Sequence, residues 1–277
     1  MKAIRRYRYG GPDVLQLEEV DPPALEDDRV LVRVRASSLN KTDLHELLGR
    51  PVFIRGGALR RPKASLVGTD FAGVVEQVGS KVEGFAPGDE VFGGRAGAFA
   101  ELVSAKIFTR KPANVSFEAA AAVPVAGLTA LQGLRAHGKL APGERVLVNG
   151  ASGGVGTLAV QIAKALGGHV TAVCSTRNLE QARELGADRV LDYTREDVTR
   201  SGERFDVILD VAGGHSWFAL RRILAPQGRL VVVGGHASRR MLLHLAVLRI
   251  ASFRSRHPVS FFIAKFVGAD QIGRAHV

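Results

Sequence analysis

The chain has 277 residues, 46% hydrophobic and 23% charged, which excludes a disordered polymer and leaves length for two buried cores. Its net charge of +11 comes mostly from arginine, 29 of 38 basic residues, scattered without an aromatic-interleaved cluster; nucleic acid is therefore not the expected partner. The single cysteine, Cys174, excludes an internal disulfide and a cysteine zinc cage. No apolar run is long enough to span a bilayer and the N-terminus has no signal-peptide core, so the expected location is cytoplasmic.

Residues 1–115 lack helical periodicity. Runs at 14–17, 29–35 (RVLVRVR, strictly alternating), 71–78 and 99–103 read as strands, separated by turn signals such as Gly10-Gly11-Pro12 and Pro87-Gly88-Asp89. They predict a mostly antiparallel β domain with one short helix at 41–48. Ser116 then reads as an N-cap with Glu118 in the first turn, and a second helix runs from Pro124 to near Gly138.

From 145 the pattern changes to strand–helix alternation. Val146, Leu147 and Val148 form a buried strand that enters Gly150-Ala-Ser-Gly153-Gly154-Val-Gly156, and an apolar helix follows. Strand, glycine turn and helix together make a dinucleotide site: glycines let the backbone approach a pyrophosphate, and helix N–H groups hold its charge. Further strands are expected at 169–174, 189–191, 205–209, 229–233 and 259–264. Helices are expected at 178–185 (Asn178 as cap with Gln181 three residues on, Gly186 as stop), from Ser216, and at 241–250. This is a doubly wound parallel sheet, and the chain is α/β.

The end of the 169–174 strand selects the cofactor. An NAD site places a carboxylate about 20 residues after the glycines. Here that stretch reads Ser175, Thr176, Arg177, with no acid between Cys174 and Asn178. Two hydroxyls and a guanidinium suit a 2′-phosphate, so NADPH is expected over NADH.

The succession GASGGVG, VCSTRN, GADRVLDY, DVILDVAGG, RLVVVGG behind a β domain resembles the medium-chain dehydrogenase/reductase superfamily. It is most similar to the zinc-independent quinone oxidoreductase (zeta-crystallin-like) and enoyl reductase branch. The resemblance implies a GroES-like catalytic domain (1–115), a Rossmann NADPH-binding domain (116–270), and a substrate cleft between them. It implies that Asn40 and Asp43 are the catalytic pair, Asn40 beside the nicotinamide and substrate and Asp43 supporting that loop. Thr129 would approach the nicotinamide, and Ser152, Gly153, Gly154 and Val155 would cradle the pyrophosphate. Ser175, Thr176, Arg177 and Tyr193 would bind the adenosine phosphate end, with Val233 and Gly234 lining the nicotinamide side. Zinc-dependent relatives carry a cysteine where this chain has Asn40 and Gly-His-Glu where it has Gly68-Thr69-Asp70, so no metal is expected. His45, near Asp43 and Asp70, is read as a structural or surface residue.

The implied chemistry is hydride transfer from NADPH to a quinone or α,β-unsaturated carbonyl, with Asn40 as first candidate for stabilising the developing oxyanion. A zinc-free alcohol or aldehyde reductase, or a non-enzymatic NADPH- or RNA-binding protein of crystallin type, are the alternatives. The resemblance points to a homodimer for the full-length form, while the sequence itself leaves the oligomeric state open. Residues 271–277 are expected to be a non-native tail: IGRAHV is what ATC-GGA-AGA-GCA-CAC-GTC encodes, a common sequencing-adapter sequence. On that reading the last part of the catalytic domain is missing and the complete enzyme is longer, with the activity of the truncated chain left open.

Overall fold

A computed structural model describes residues 1–55, 58–94, 97–233 and 257–264. The helix expected at 241–250, Gly234 and the tail at 271–277 lie outside the described residues. Contacts divide the described chain into two compact units, Met1–Leu128 and Thr129–Ala264.

In the first unit, β1 (Lys2–Arg5) and β2 (Gln16–Glu19) pair antiparallel. The 14–17 run is split because Pro12 favours the tight turn Pro12–Val14, so pairing starts only at Gln16. β3 (Val30–Ser38) is followed by α1 (Lys41–Leu48), β4 (Asp70–Val78), β5 (Glu90–Gly94), β6 (Leu102–Ala105) and β7 (Phe108–Arg110). These strands form an antiparallel sheet of order β6-β3-β4-β5-β7. The valines of the alternating run turn inward, and Val30 and Val32 join Phe71, Val75, Val91, Val103 and Phe108 in one core.

Two register shifts bend β3 against β4, and a Cβ at Gly73 would stand 2.1 Å from the Arg33 carbonyl oxygen. Only glycine fits at that crossing. The strand expected at 99–103 begins later, at Leu102, because Phe99 exchanges backbone hydrogen bonds with Ile4 and Val67 outside the sheet. On the other face, α2 (Phe117–Ala121), capped by the Ser116 hydroxyl, packs Ala120 and Ala121 against Ala72 and Phe92. α3 (Pro124–Leu131) follows and runs on into a wider i→i+5 turn over Gln132–His137.

The second unit continues with β8 (Arg145–Asn149), α4 (Gly154–Ala165), β9 (His169–Cys174), α5 (Leu179–Glu184), β10 (Arg189–Asp192), β11 (Phe205–Asp210), α6 (Trp217–Arg222), β12 (Leu224–Val232) and β13 (Val259–Phe261). The sheet order is β10-β9-β8-β11-β12-β13 with every pair parallel. Counted within the unit this is 3-2-1-4-5-6, the order of dinucleotide-binding sheets.

Both sheet faces are covered, so the middle of each central strand is a run of apolar residues, VLV in β8 and VIL in β11. Val146, Val148, Val207 and Leu209 face Ala159, Val160 and Ala163 of α4. Leu147, Phe205, Ile208 and Leu230 face the other way, onto Trp217 and Leu220 of α6. α5 ends at Gly186, whose φ of +96° suits glycine. The capping box expected from Asn178 and Gln181 does not form; Asn178 Nδ2 donates instead to Ser175 Oγ at 3.1 Å. Among the described residues no helix is long and apolar enough to cross a membrane.

Phe205 is fully buried between β11 and the α6 layer. Phe205→Ala is expected to lower stability by about 3–5 kcal/mol through lost transfer energy and a residual cavity. A urea unfolding series followed by circular dichroism checks this, and an unshifted midpoint contradicts it.

Candidate functional site

In the second unit, the C-terminal ends of the strands lie along one edge of the sheet. β8 ends at Asn149, and Gly150 (φ +91°) turns the chain so that the N–H groups of Gly150 and Ala151 both donate to the Val173 carbonyl, at 3.1 and 2.9 Å. Gly153 then caps α4, and Thr157 N–H donates to its carbonyl at 2.9 Å. The N–H groups of the first helical turn, at Gly154, Val155 and Gly156, have no acceptor within the helix. A Cβ at Gly156 would stand 2.1 Å from the Gly150 oxygen, so the helix starts this close to the strand only with glycine there. Ser152, Gly153 and Gly154 are exposed and Val155 is half-buried, which presents the helix start to an anion.

The turn sits at the point where strand order reverses, between β8 and β11. Asn149 Nδ2 donates to Asp210 Oδ1 at 2.7 Å, and Gly213 N–H reaches the same oxygen at 2.9 Å. Both side chains are buried, so this pair pins the two strand ends beneath the turn. Neither is among the site residues expected from the sequence. Their signal is a polar residue directly after a run of three apolar ones, VLV before Asn149 and VIL before Asp210.

Of the residues expected at the adenosine end, Ser175 is half-buried, while Thr176, Arg177 and Tyr193 are exposed. Arg177 has no ion-pair partner among the described residues. Counting along the chain finds no carboxylate here, but β10 lies beside β9 and brings Asp192 alongside. Thr176 Oγ1 donates to Asp192 Oδ2 at 2.5 Å, and that hydrogen bond leads the effects that hold the Asp192 carboxyl below the usual carboxylate range. Tyr193 N–H donates to the Cys174 carbonyl at 3.1 Å. At the neighbouring strand ends, Val233 follows β12 with its N–H on the Asp210 carbonyl at 3.0 Å. Thr129 is buried in α3.

Asn40 and Asp43 belong to the first unit. They form a reciprocal capping box at the start of α1, in which Asp43 Oδ2 accepts from Asn40 N–H at 2.7 Å. Asp43 Oδ1 accepts from Thr69 Oγ1 at 2.7 Å, and Asp43 is buried. The Asn40 amide faces inward: Nδ2 donates to Asp70 Oδ2 at 3.0 Å and to Ser38 Oγ at 3.2 Å. Asp70 itself is fully buried, and Val125 N–H also donates to its Oδ2 at 3.0 Å. Burial, aided by the Asp43 charge, pushes its carboxyl up to about 7 against the pull of these hydrogen bonds. In the sequence Asp70 stands out only as a position where zinc-dependent relatives differ. Its polar neighbours Ser38 and Thr69 flank the start of a strand that is otherwise apolar up to Glu76.

Residues 26–110 match the alcohol dehydrogenase GroES-like domain and 154–268 the zinc-binding dehydrogenase domain. The chain is 38% identical over 251 residues to a chloroplastic quinone-oxidoreductase homolog of Spinacia oleracea, covering 83% of this chain and 74% of that one. It is 40% identical over 228 residues to the 2-methylene-furan-3-one reductase of Solanum lycopersicum, covering 77% of this chain. It spans 57% of that relative's length. The Escherichia coli quinone oxidoreductase complexed with NADPH superimposes with a TM-score of 0.82 at 27% identity, over 100% of this chain and 86% of the other. The chain belongs to the medium-chain dehydrogenase/reductase superfamily, in its quinone oxidoreductase and enoyl reductase branch, and is built from a GroES-like and a Rossmann domain.

Proposed function

We propose that this chain is an NADPH-dependent oxidoreductase that reduces a quinone or an α,β-unsaturated carbonyl without zinc. The observation that carries this reading is the exposed N-terminal turn of α4, set at the strand-order reversal with Ser175, Thr176 and Arg177 at the next strand end. The relatives' names point the same way, to quinones, an enone-type substrate and NADPH.

Ser152, Gly153, Gly154 and Val155 would hold the pyrophosphate through backbone N–H groups. Because Thr176 gives its hydroxyl hydrogen to Asp192, recognition of a 2′-phosphate falls chiefly on Arg177, whose planar fork matches phosphate oxygens. Tyr193 flanks that end, while Thr129, Val233 and Gly234 are assigned to the nicotinamide. When bound, NADPH supplies a hydride, and negative charge develops on the substrate oxygen.

We assign Asn40 to that oxygen. Its amide keeps one hydrogen on Asp70 and turns the other from Ser38, the longer of the two bonds, towards substrate. Asp43 touches no substrate in this scheme; its two oxygens fix the α1 capping box and Thr69, so it is a positioning residue. The donor set does not fit zinc. Asn40, Thr69 and Asp70 stand where the resemblance places ligands. They offer no thiolate or imidazole, and the Asn40 amide and Thr69 hydroxyl are turned onto carboxylates.

Fluorescence titration with NADPH and NADH in parallel tests the cofactor assignment. NADPH is expected to bind at least about tenfold more tightly, and Arg177→Ala to remove about that factor for NADPH alone. Equal affinities would sink the 2′-phosphate assignment, and Gly156→Val should abolish binding of both. For the chemistry, Asn40→Ala is expected to lower kcat for a small enone by about 10²-fold with the NADPH Kd unchanged. An unaltered kcat removes Asn40 from the mechanism.

A further inference from the structure

Asp70 opens β4, flanked by β3 and β5, and is completely buried. A carboxyl group in such a place is costly unless hydrogen bonds compensate, and an apolar residue of similar size would pack there at lower cost. Asp70 Oδ2 nevertheless gathers donors from two directions. Ser38 Oγ (3.4 Å) comes from the last residue of β3 and Asn40 Nδ2 (3.0 Å) from the N-cap of α1. Val125 N (3.0 Å) comes from the first turn of α3.

The α3 contact has a specific origin. Pro124 occupies the first helical position and has no N–H, so Val125 carries the first backbone donor of the helix. Asp70 supplies from a distant strand the cap that α3 lacks in its own sequence, where negative or dipolar oxygen is favoured by the helix dipole. The later turn of the same helix carries Thr129. Asp70 Oδ1, by contrast, is buried without a hydrogen-bond partner. One oxygen is fully engaged and the other idle, which is the arrangement expected of an oriented anchor.

We propose that Asp70 is a positioning residue that, through its single oxygen Oδ2, fixes the orientation of the Asn40 carboxamide together with the first turn of the helix carrying Thr129. The inference rests on the assignment of Asn40 and Thr129 to the reaction. Asp70 does not touch substrate or cofactor in this role. It acts by holding one Asn40 amide hydrogen inward so that the other has a defined direction. The carboxyl's upward shift to about 7 means that a neutral side chain with a carbonyl oxygen reproduces one of its working forms.

The test uses the 277-residue chain and the variants Asp70→Asn, which keeps an acceptor oxygen, and Asp70→Leu, which fills the space without one. Steady-state reduction of a small enone, NADPH titration and hydrogen exchange at the Val125 N–H and the Asn40 side-chain amide are read on each. Asp70→Leu is expected to lower kcat at least about tenfold, with KM and NADPH Kd within about twofold, and Asp70→Asn to restore kcat to within about threefold. Exchange at both amides should accelerate about tenfold or more in Asp70→Leu and stay slow in Asp70→Asn. The Asn40→Ala, Asp70→Leu double variant should be no slower than Asn40→Ala alone, since the two act as a unit.

A folded Asp70→Leu with native kcat and native exchange overturns the proposal, as does a multiplicative double variant. An Asp70→Asn whose kcat falls at least about tenfold below that of the parent chain overturns it as well, a comparison that needs no folded leucine variant. Should the parent chain turn over no enone while both amides still respond to Asp70→Leu, the anchor stands and the functional reading fails.

Discussion

The second unit is built on a distance at which no side chain fits. With 2.1 Å between a hypothetical Gly156 Cβ and the Gly150 oxygen, the first turn of α4 packs directly against the Gly150–Gly153 turn that leaves β8. That closeness brings the helix's unpaired N–H groups directly above the strand ends instead of to one side of them. Everything else at the edge follows from it: the Val173 carbonyl receives the two turning N–H groups, and the Asn149–Asp210 pair closes the gap to β11 below. A larger residue at position 156 would push the helix outward and carry its free N–H groups away from the strand ends.

The parallel half was legible because its strands are covered on both faces and its helices are punctuated by glycine. His169–Cys174 coincides with its apolar run, and Gly186 stops α5 where a left-handed residue is needed. The antiparallel half was less so. β5 and β7 are short and carry little alternation, EVFGG and FTR, so nothing local distinguishes them from loop. They are strands only because β4 offers an edge to β5 and β5 one to β7. The bounds of β3 extend three residues past the alternating run for the same reason: pairing with Phe71 and Asp70, not pattern, carries Ser37 and Ser38.

The candidate site shows a second kind of limit. A sequence names the residues that bring hydroxyls and amides to a site, but not where their hydrogens go. Thr176 stands where a phosphate-binding hydroxyl is expected, yet a carboxylate 16 residues further on takes its hydrogen. Asn40 stands where a substrate donor is expected, yet its amide is turned onto a buried acid 30 residues away. Both partners arrive through strand pairing, Asp192 on β10 beside β9 and Asp70 on β4 beside β3. Such pairings become visible only when the register is known, which is why the sequence assigns neither Asp70 nor Asp192 a hydrogen-bonding role.

The burial of Trp217 has a practical consequence. It is the only tryptophan in the chain and it packs with Phe205 and Leu220 beneath the parallel sheet, while two of the three tyrosines, Tyr7 and Tyr9, lie in the other unit. Indole emission is thus an optical label for one half of the molecule, installed by the fold itself. Excited selectively, it reports solvent entry into the lower layer of the nucleotide-binding half alone and is blind to loosening of the antiparallel half. The order in which the two halves come apart is therefore readable from the native chain without attaching a dye.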